Sequence, residues 1–406
     1  MLRRRGDEAI GSSMRILQVH TRYREPGGED AVVSAEAGLL TRAGHEVIPY
    51  VAENPTGALP TATSLALSAW NPGAAIALRQ AVRRVRPDVA HVHNTWYALS
   101  PSVVGALAAA EVPVVATLHN YRLLCTNALL FRDGRPCEDC VGTNPWPGVR
   151  HRCYRGSAAA SAAAAGMIAA NRALRTWNRH VRLFLALNDF ARDRFVRGGL
   201  PAHKIRVKQN FVADPGPRRQ PPSASGTVLY VGRLSAEKGV GTVLEAWRTE
   251  LAAPTLELLV VGDGPLRAEL ERTAPPNVRF LGRVAPSEVR HLMLSSRALL
   301  LPSVWYEGQP IAALEALASG LPVVASRLGG IPSLLELADE RWLPAPGDPS
   351  SWSQALGLLG DGAEVDRTGA QLRRRYEAHF SEQVGLRLLE EAYLDARDGV
   401  ARHGVW

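Results

Sequence analysis

Two glutamates eight positions apart, Glu307 and Glu315, bracket a Gly-Gln-Pro step in the stretch WYEGQPIAALEALASG. The apolar run ALLLPS before it reads as a buried strand, and the run after it reads as a helix stopped by Gly320. Pro310 suits a first helical turn, where no intrahelical N–H is needed. The unpaired amides of such a helix start, at Gly308, Gln309 and Ile311, can receive an anion or donate to hydroxyls. Carboxylates on either side accept the hydroxyls of a sugar or a ribose. The ligand that fits is a phosphate with a polyol at each end, as in a nucleotide sugar. From spacing alone, an exposed Glu307 and a surface Glu315 on an ordinary helix fit equally well.

Other candidate groups stand at similar junctions. In VGRLSAEKGV, Arg233 ends a strand and Lys238 follows before a helix. Two cations there could neutralise a diphosphate, and a solvated basic loop is the plain alternative. VGDGP places Gly262 in a bare turn that lets a ligand approach the backbone. YREPGGEDAVV puts Gly27 and Gly28 between a first strand and a helix, where a phosphate or an acceptor could sit closely. The G-x-G-x-x-G dinucleotide fingerprint is absent from this loop. His119 ends the strand-like run PVVATLH; without context it reads as a structural strand-end histidine.

These junctions need elements to hold them. At 406 residues the chain is too long for one ordinary core. Buried-strand runs at 14–20, 45–51, 88–94, 113–119 and 182–188 alternate with helical stretches such as 31–43 and 101–110. The Pro- and Gly-rich segment 214–226 breaks the alternation, which restarts at 227–234, 256–264, 277–284, 298–303 and 321–326. Alternation of this kind predicts an α/β fold of two doubly wound, Rossmann-like parallel sheets facing a central cleft. Ligands of such sheets bind beyond the carboxyl ends of the strands, where every motif above falls. The expected domains are 14–213, with a cysteine-containing insertion at 120–156, a linker at 214–226, and 227–380. A terminal helical stretch, 381–406, is expected to cross back to the first domain.

Together these residues resemble the GT-B fold, retaining glycosyltransferases of family GT4. The resemblance runs from about Met14 to Ser326. Glu307 and Glu315 match the family's E-x7-E element, VGRLSAEKG its donor-phosphate motif, and ASGLPVVAS the strand that follows. The resemblance implies that Arg233 and Lys238 bind the donor diphosphate. It implies that Glu307 and the amides of Gly308, Gln309 and Ile311 hold the transferred sugar, and that Glu315 holds the ribose. His119 would lie beside that sugar, Gly27 and Gly28 near the phosphate and acceptor, and Gly262 and Val284 around the base. The implied enzyme moves a sugar from a UDP- or GDP-sugar to a hydroxyl acceptor, in polysaccharide or glycolipid assembly or on a small natural product such as an aminoglycoside. Gln309 and Pro310 depart from the aromatic-Gly run commoner in the family, which bears on sugar choice. No enzymic nucleophile is assigned, and Glu29 and Asp30 are the acceptor-side carboxylates available as a base. No metal is required for catalysis, since cations and amides can neutralise the departing diphosphate and no D-x-D stands at a strand end.

The four cysteines, Cys125, Cys137, Cys140 and Cys153, all lie in the insertion. Their C-x11-C-x2-C-x12-C spacing allows a structural zinc site, although the usual second C-x2-C is missing. Disulfide or redox pairing and simple packed thiols also fit. The surrounding segment resembles transferases of cell-surface polysaccharide assembly. After it, Arg172, Arg175, Arg179 and Arg182 recur at helical spacing within an Ala-rich run, as a solvated face or a contact for anionic lipid. The net charge of +8 favours an anionic partner without choosing one. Two rival classes are weaker. A zinc-containing nucleic-acid-binding protein would need aromatic–basic surfaces or finger spacing, and an oxidoreductase or epimerase would need the dinucleotide loop. A non-catalytic scaffold is disfavoured by the intact Arg233, Lys238, Glu307 and Glu315 set. No apolar run reaches the ~20 residues of a membrane span, and no secretory-type apolar segment follows MLRRRGDEAIGSS. The expected location is the cytoplasm, with peripheral contact at the inner membrane face as the extension the basic run suggests.

Overall fold

The alternating apolar and helical runs form two parallel sheets, one in each of two units. The computed structural model of the chain describes residues 13–23, 27–248 and 256–399. The opening segment 1–12, residues 24–26 of the Gly-Gly motif and the closing 400–406 lie outside the described residues. In chain order the strands begin with β1 (Arg15–Arg22), β2 (Glu46–Glu53), β3 (Val89–Asn94), β4 (Val114–Leu118), β5 (Phe131–Arg132) and β6 (Arg135–Pro136). They continue with β7 (Leu183–Ala186), β8 (Ile205–Val207), β9 (Thr227–Val231), β10 (Glu257–Val261), β11 (Val278–Gly282), β12 (Ala298–Leu301) and β13 (Val323–Ala325).

The first unit is drawn from Met1–Leu129, Glu138–Lys208 and Leu386–Trp406. Its six strands run in the order β2-β1-β3-β4-β7-β8, all parallel. Central strands β3, β4 and β7 are buried along their whole length, as expected of a sheet covered on both faces. β8 has three residues and no clear apolar run, so the sequence pattern passes over it. Within this unit the last helix, Glu382–Asp398, is tied down by polar contacts. The Tyr393 hydroxyl meets His91 Nδ1 at 2.8 Å, Glu390 meets His45 Nε2 at 3.0 Å, and Asp395 accepts from Arg206.

The second unit takes Leu130–Cys137 and Gln209–Gly385. Its main sheet of five strands runs β11-β10-β9-β12-β13, again parallel, and β5 and β6 form a separate antiparallel pair. Alternate side chains feed two apolar layers. Val228, Tyr230, Leu258, Val260 and Leu300 pack with Trp247, Trp342 and Trp352 on one side. Leu229, Leu259, Leu299, Leu301 and Val323 pack with Leu314, Leu317 and Tyr376 on the other. The Pro-rich 214–226 segment, read as a linker, belongs to this unit, where Arg218 donates to the carbonyls of Met293 (2.8 Å) and Ser296 (2.6 Å).

One expectation is corrected. The Arg172–Arg182 run is not one continuous basic helix face. The helix Ala158–Ala173 ends, Arg175 takes a left-handed conformation at φ 52°, and a short helix Thr176–His180 follows. Arg172 is turned inward, donating to the Thr143 and Cys140 carbonyls.

Backbone crowding at one glycine positions the loops of the second unit. At Gly239 (φ +66°) an added Cβ would lie 2.0 Å from the Pro302 carbonyl oxygen. Gly239→Ala is therefore expected to lower stability by ~1–3 kcal/mol in urea unfolding. The neighbouring Gly241→Ala, inside the helix Val240–Trp247 with nothing within 4 Å of its Cβ, is expected to gain ~0.5–1 kcal/mol. Equal effects at the two positions would contradict the crowding.

Candidate active site

In the second unit, strand order explains why the distant motifs meet. β9 is central, with β10 and β12 as its direct neighbours, so the loops after all three lie side by side. The loop after β9 carries Arg233 and the single 3-10 turn Ala236–Lys238; the loop after β12 carries Ser303 to Gln309. The two loops are joined by the Val304 amide donating to the Glu237 carbonyl at 2.9 Å. Gly262, after β10, has φ +134°, and an added Cβ would lie 1.9 Å from the Gly232 carbonyl oxygen. Only glycine lets these two turns press together.

Glu307 is the centre of this cluster. It is buried, and its Oε1 accepts from Lys238 Nζ at 2.7 Å and from Ser303 Oγ at 2.5 Å. The Lys238 ammonium also lies 5.2 Å from the Trp305 ring centre. Lys238 and Glu307, assigned separately from sequence, are thus a single ion pair at the loop junction. Arg233 is exposed on the same loop, and its carbonyl accepts from the Tyr230 hydroxyl at 2.8 Å.

The helix after Pro310 runs Ile311–Ala318, with Pro310 as its cap residue. Ile311 and Val284 are half-buried against the apolar layer below. The Gln309 side-chain oxygen accepts from the Asn210 amide at 2.5 Å, while its Nε2 is buried without a hydrogen-bond partner. Gln309 therefore has a side-chain role in fixing the loop, which the sequence reading of it as a backbone donor missed. Glu315 is mostly buried, and that burial raises its carboxyl above the usual range despite the opposing charge of Arg290.

In the first unit, Gly27 caps the helix Gly28–Arg42 and donates its amide to Asp30 Oδ2 at 2.9 Å. A Cβ at Gly27 would meet nothing within 4 Å among the described residues. Asp30 Oδ1 pairs with His20 Nε2 at 2.9 Å. Glu29 accepts from the Tyr23 hydroxyl at 2.9 Å and from Asn120 Nδ2 at 3.1 Å. Burial, reinforced by the charge of Asp30, pushes the Glu29 carboxyl up to about 8. Glu29 therefore keeps its proton at neutral pH and is not a ready base there. His119, at the end of β4, is pushed down to about 3 by burial and by the charges of Lys208 and His20, so it is a neutral imidazole. Next to it, the Arg122 guanidinium lies over the rings of Trp96 (4.6 Å) and Tyr154 (4.9 Å). These flanking groups carry no motif in sequence; their only trace is a run of polar residues, HVHN, inside a strand that should be apolar.

The cysteines form no disulfide. Cys125 Sγ lies 2.9 Å from Asn127 Oδ1. Glu138, between Cys137 and Cys140, instead anchors the insertion by pairing with Arg194 (3.1 Å) and Arg197 (2.5 Å) on the helix Asp189–Arg197. Among the described residues, the one trio with ligand atoms close enough for a metal is Glu36, His91 and His93. There the Lys208 ammonium already bonds the Glu36 carboxylate. A second cation beside it would be repelled, so this trio reads as part of a buried ion pair.

Comparisons with known proteins agree with this architecture. Residues 26–214 match the family model described as Glycosyltransferase Family 4, and residues 225–361 match Glycosyl transferases group 1. The chain is 29% identical over 224 residues to the amylovoran biosynthesis glycosyltransferase AmsK of Erwinia amylovora, covering 52% of this chain and 55% of AmsK. It is 28% identical over 325 residues to glycogen synthase of Mycobacterium tuberculosis, covering 78% of this chain and 71% of that enzyme. The chain thus spans about half the length of AmsK and of the putative colanic acid glycosyltransferase WcaL of Escherichia coli, at 55% and 54%. Among solved structures, the sucrose-phosphate synthase of Thermosynechococcus elongatus superposes with a TM-score of 0.69 at 16% identity, covering 95% of this chain and 100% of that one. HepE of Anabaena, solved in complex with UDP and glucose, gives 0.64 at 18% identity, covering 93% and 99%. At such identities the structures speak for the fold alone. Taken with the two family domains, which together cover most of the sequence, they lead to one conclusion: the chain belongs to the family GT4 glycosyltransferases, with the two-sheet GT-B fold.

Proposed function

We propose that this protein is a retaining glycosyltransferase that moves a sugar from a nucleotide-diphosphate sugar, of the UDP or GDP type, to a hydroxyl of a growing polysaccharide or glycolipid. The observation that carries the reading is the Lys238–Glu307–Ser303 cluster at the carboxyl ends of β9 and β12, with Arg233 on the same loop and Glu315 one helix turn and more beyond. The second unit holds the donor. Arg233 and Lys238 meet the diphosphate, Glu307 and the amides of Gly308, Gln309 and Ile311 meet the sugar, and Glu315 takes the ribose. Gly262 and Val284 border the base. Within the first unit, the neutral His119 would serve a ligand hydroxyl, and Gly27 and Gly28 a phosphate or acceptor. HepE's complex with UDP and glucose, and the polysaccharide roles in the names of AmsK and WcaL, support the donor and acceptor classes.

The chemistry follows from charge. As the glycosidic bond to phosphate breaks, negative charge grows on the diphosphate, and fixed cations nearby stabilise it without reorganisation. Attack on the same face, with the departing phosphate accepting the acceptor proton, needs no protein nucleophile. That suits a site whose buried acceptor-side carboxyl, Glu29, is protonated at neutral pH.

Among the described residues, the first unit carries the exposed large apolar side chains: Val51, Leu59, Leu67, Trp70, Ile76, Trp146 and Leu174. The same unit presents the exposed Arg175 and Arg179. Exposed tryptophans and arginines on one unit suit the surface of an anionic bilayer, where a lipid-linked acceptor would be met. No helix of the described residues is long and apolar enough to cross a membrane, so this contact is peripheral.

Calorimetry against UDP-, GDP- and ADP-sugars, followed by acceptor-free hydrolysis of the one that binds, tests the donor. Absence of binding to all three would refute it. Glu315→Ala is expected to weaken nucleotide diphosphate binding by ~10-fold or more. Glu307→Ala is expected to leave nucleotide affinity close to normal and lower kcat by ~100-fold. Unchanged nucleotide affinity in Glu315→Ala would remove the ribose assignment. Excess EDTA is expected to leave donor hydrolysis within about twofold, because protein cations do the neutralising; loss of activity restored by Mg²⁺ would overturn that. The affinity for vesicles containing phosphatidylserine, read by sedimentation, is expected to fall by at least ~30-fold in the Arg175→Glu, Arg179→Glu double variant, at roughly 1 kcal/mol per arginine lost. Identical sedimentation would end the membrane reading.

A further inference from the structure

The inner face of the first sheet is polar where a buried parallel sheet should be apolar. Gln18 on β1, His93 on β3 and His119 beyond β4 are linked in one chain, and His91 on β3 bonds Thr117 on β4 beside it. Gln18, His91 and Thr117 are at most 4% exposed, and the His93 side chain is wholly buried. Such rows persist when every member is satisfied and the row serves a purpose.

The hydrogen bonds in this row have a direction that can be worked out from its fixed end. The Val33 carbonyl can only accept, and it takes a hydrogen from the Gln18 side chain at 3.0 Å. That identifies the contacting atom as the amide nitrogen. The same nitrogen lies 3.4 Å from His93 Nε2, so its second hydrogen faces a ring nitrogen that must accept. The competing acceptor beside His93 Nε2 is Glu36 Oε2 at 3.8 Å, beyond hydrogen-bond reach. With Nε2 accepting, a neutral His93 carries its proton on Nδ1. That atom is 2.9 Å from His119 Nε2, which must then accept. His119 keeps its own proton on Nδ1, the ring atom not engaged by His93.

We propose that Gln18 and His93 are positioning residues that lock His119 in the Nδ1–H tautomer, so that the imidazole offers a hydrogen-bond donor to a ligand hydroxyl. The relay rests on the donor assignment above only for the identity of that hydroxyl. The neutrality it needs is built in. Burial lowers His91 and His93 well below the ordinary histidine range, and the Lys208 charge adds to the effect at both and at His119. Lys208 is itself balanced by Glu36, to which it donates. A neutral donor of fixed direction polarises or orients a hydroxyl without giving up its proton, so its alignment matters more than its basicity. His91 is a separate branch: it meets Thr117 Oγ1 at 2.7 Å and the Tyr393 hydroxyl at 2.8 Å, which braces β3 without touching the His93–His119 bond.

The tautomer can be read directly. In protein labelled with ¹⁵N-histidine, long-range ¹H–¹⁵N spectra separate Nδ1–H from Nε2–H rings, and a His119→Gln sample identifies the His119 signals. The expected result is Nδ1–H for both His93 and His119. Gln18→Glu, which replaces the amide donor by an acceptor, is expected to reverse both rings to Nε2–H. Its acceptor-free donor hydrolysis should fall at least 10-fold in kcat, with nucleotide diphosphate affinity within twofold of the parent. Should that variant not fold, Gln18→Met removes the donor without adding charge. It is expected to give mixed tautomers at His119 and a smaller loss of kcat. Nε2–H at His119 in the parent, or an unchanged His119 pattern in either variant, would overturn the relay. If the spectra behave as expected but the parent hydrolyses no nucleotide sugar, the relay stands and the sugar-transfer reading fails.

Discussion

A carboxylate removed from water must find a cation or several donors, and both units are arranged around one that has. In the first unit it is Glu36, fully buried and bonded by Lys208; in the second it is Glu307, bonded by Lys238 and Ser303. Breaking such a pair by deleting one partner typically costs about 3–5 kcal/mol, because the other charge is left stranded. The surrounding loops are therefore not free to drift. Lys238 can reach Glu307 only because Gly239 lets its loop press against the backbone of Pro302. Lys208 can reach Glu36 only because the short edge strand β8 ends directly before it, within the sheet. Electrostatics here selects backbone geometry, and the apolar layers then hold that geometry in place.

The two pairs serve different ends because they differ in access. Glu36 is wholly enclosed, so its charge acts at a distance, balancing the ammonium that adds to burial in keeping the histidine row neutral. The Lys238 side chain retains 21% exposure, and its partner 5%. A diphosphate bound as proposed would meet a lysine already aimed and partly desolvated. Binding would share that ammonium between phosphate and Glu307, loosening the pair just where Glu307 is proposed to accept sugar hydroxyls. A lysine free in solvent would instead have to lose its rotamer freedom on binding.

How much of this was legible in the sequence follows from which signals are local. Strand runs such as PVVATLH and TVLYVGRL are apolar over several residues; the first became a strand within a residue of its expected ends, while the second stops at Val231, three residues early, which leaves Arg233 in the loop rather than at the strand end. β8 escaped because three residues at a sheet edge carry no periodicity. The Arg172–Arg182 run misled because spacing assumes one unbroken helix, whereas the backbone turns at Arg175 and sends Arg172 inward. At the site, Glu307, Lys238 and Gly262 were visible because each sits at a strand–helix junction. That Lys238 and Glu307 form one pair was not, since it depends on β9 and β12 being sheet neighbours although β10 and β11 intervene in sequence. Gln18, Glu36, His93 and Arg122 were missed for the same reason: each has meaning only across strands.

Gln309 shows what a departure from a family pattern can accomplish. Its side-chain oxygen takes the Asn210 amide, so this residue bolts the sugar-side loop to the chain segment entering the second unit. A residue without that oxygen would leave a part-buried amide unpaired, a penalty of about 1–3 kcal/mol. Its Nε2 is buried without a partner among the described residues. A backbone-only loop of glycine and an aromatic residue would contact a sugar through amides and shape alone. On the proposed reading, a glutamine donor turned toward the sugar would discriminate more sharply against a sugar lacking the matching hydroxyl than a smooth apolar wall could. The substitution would then bear on which sugar is accepted and leave the proposed diphosphate contacts of Arg233 and Lys238 unchanged.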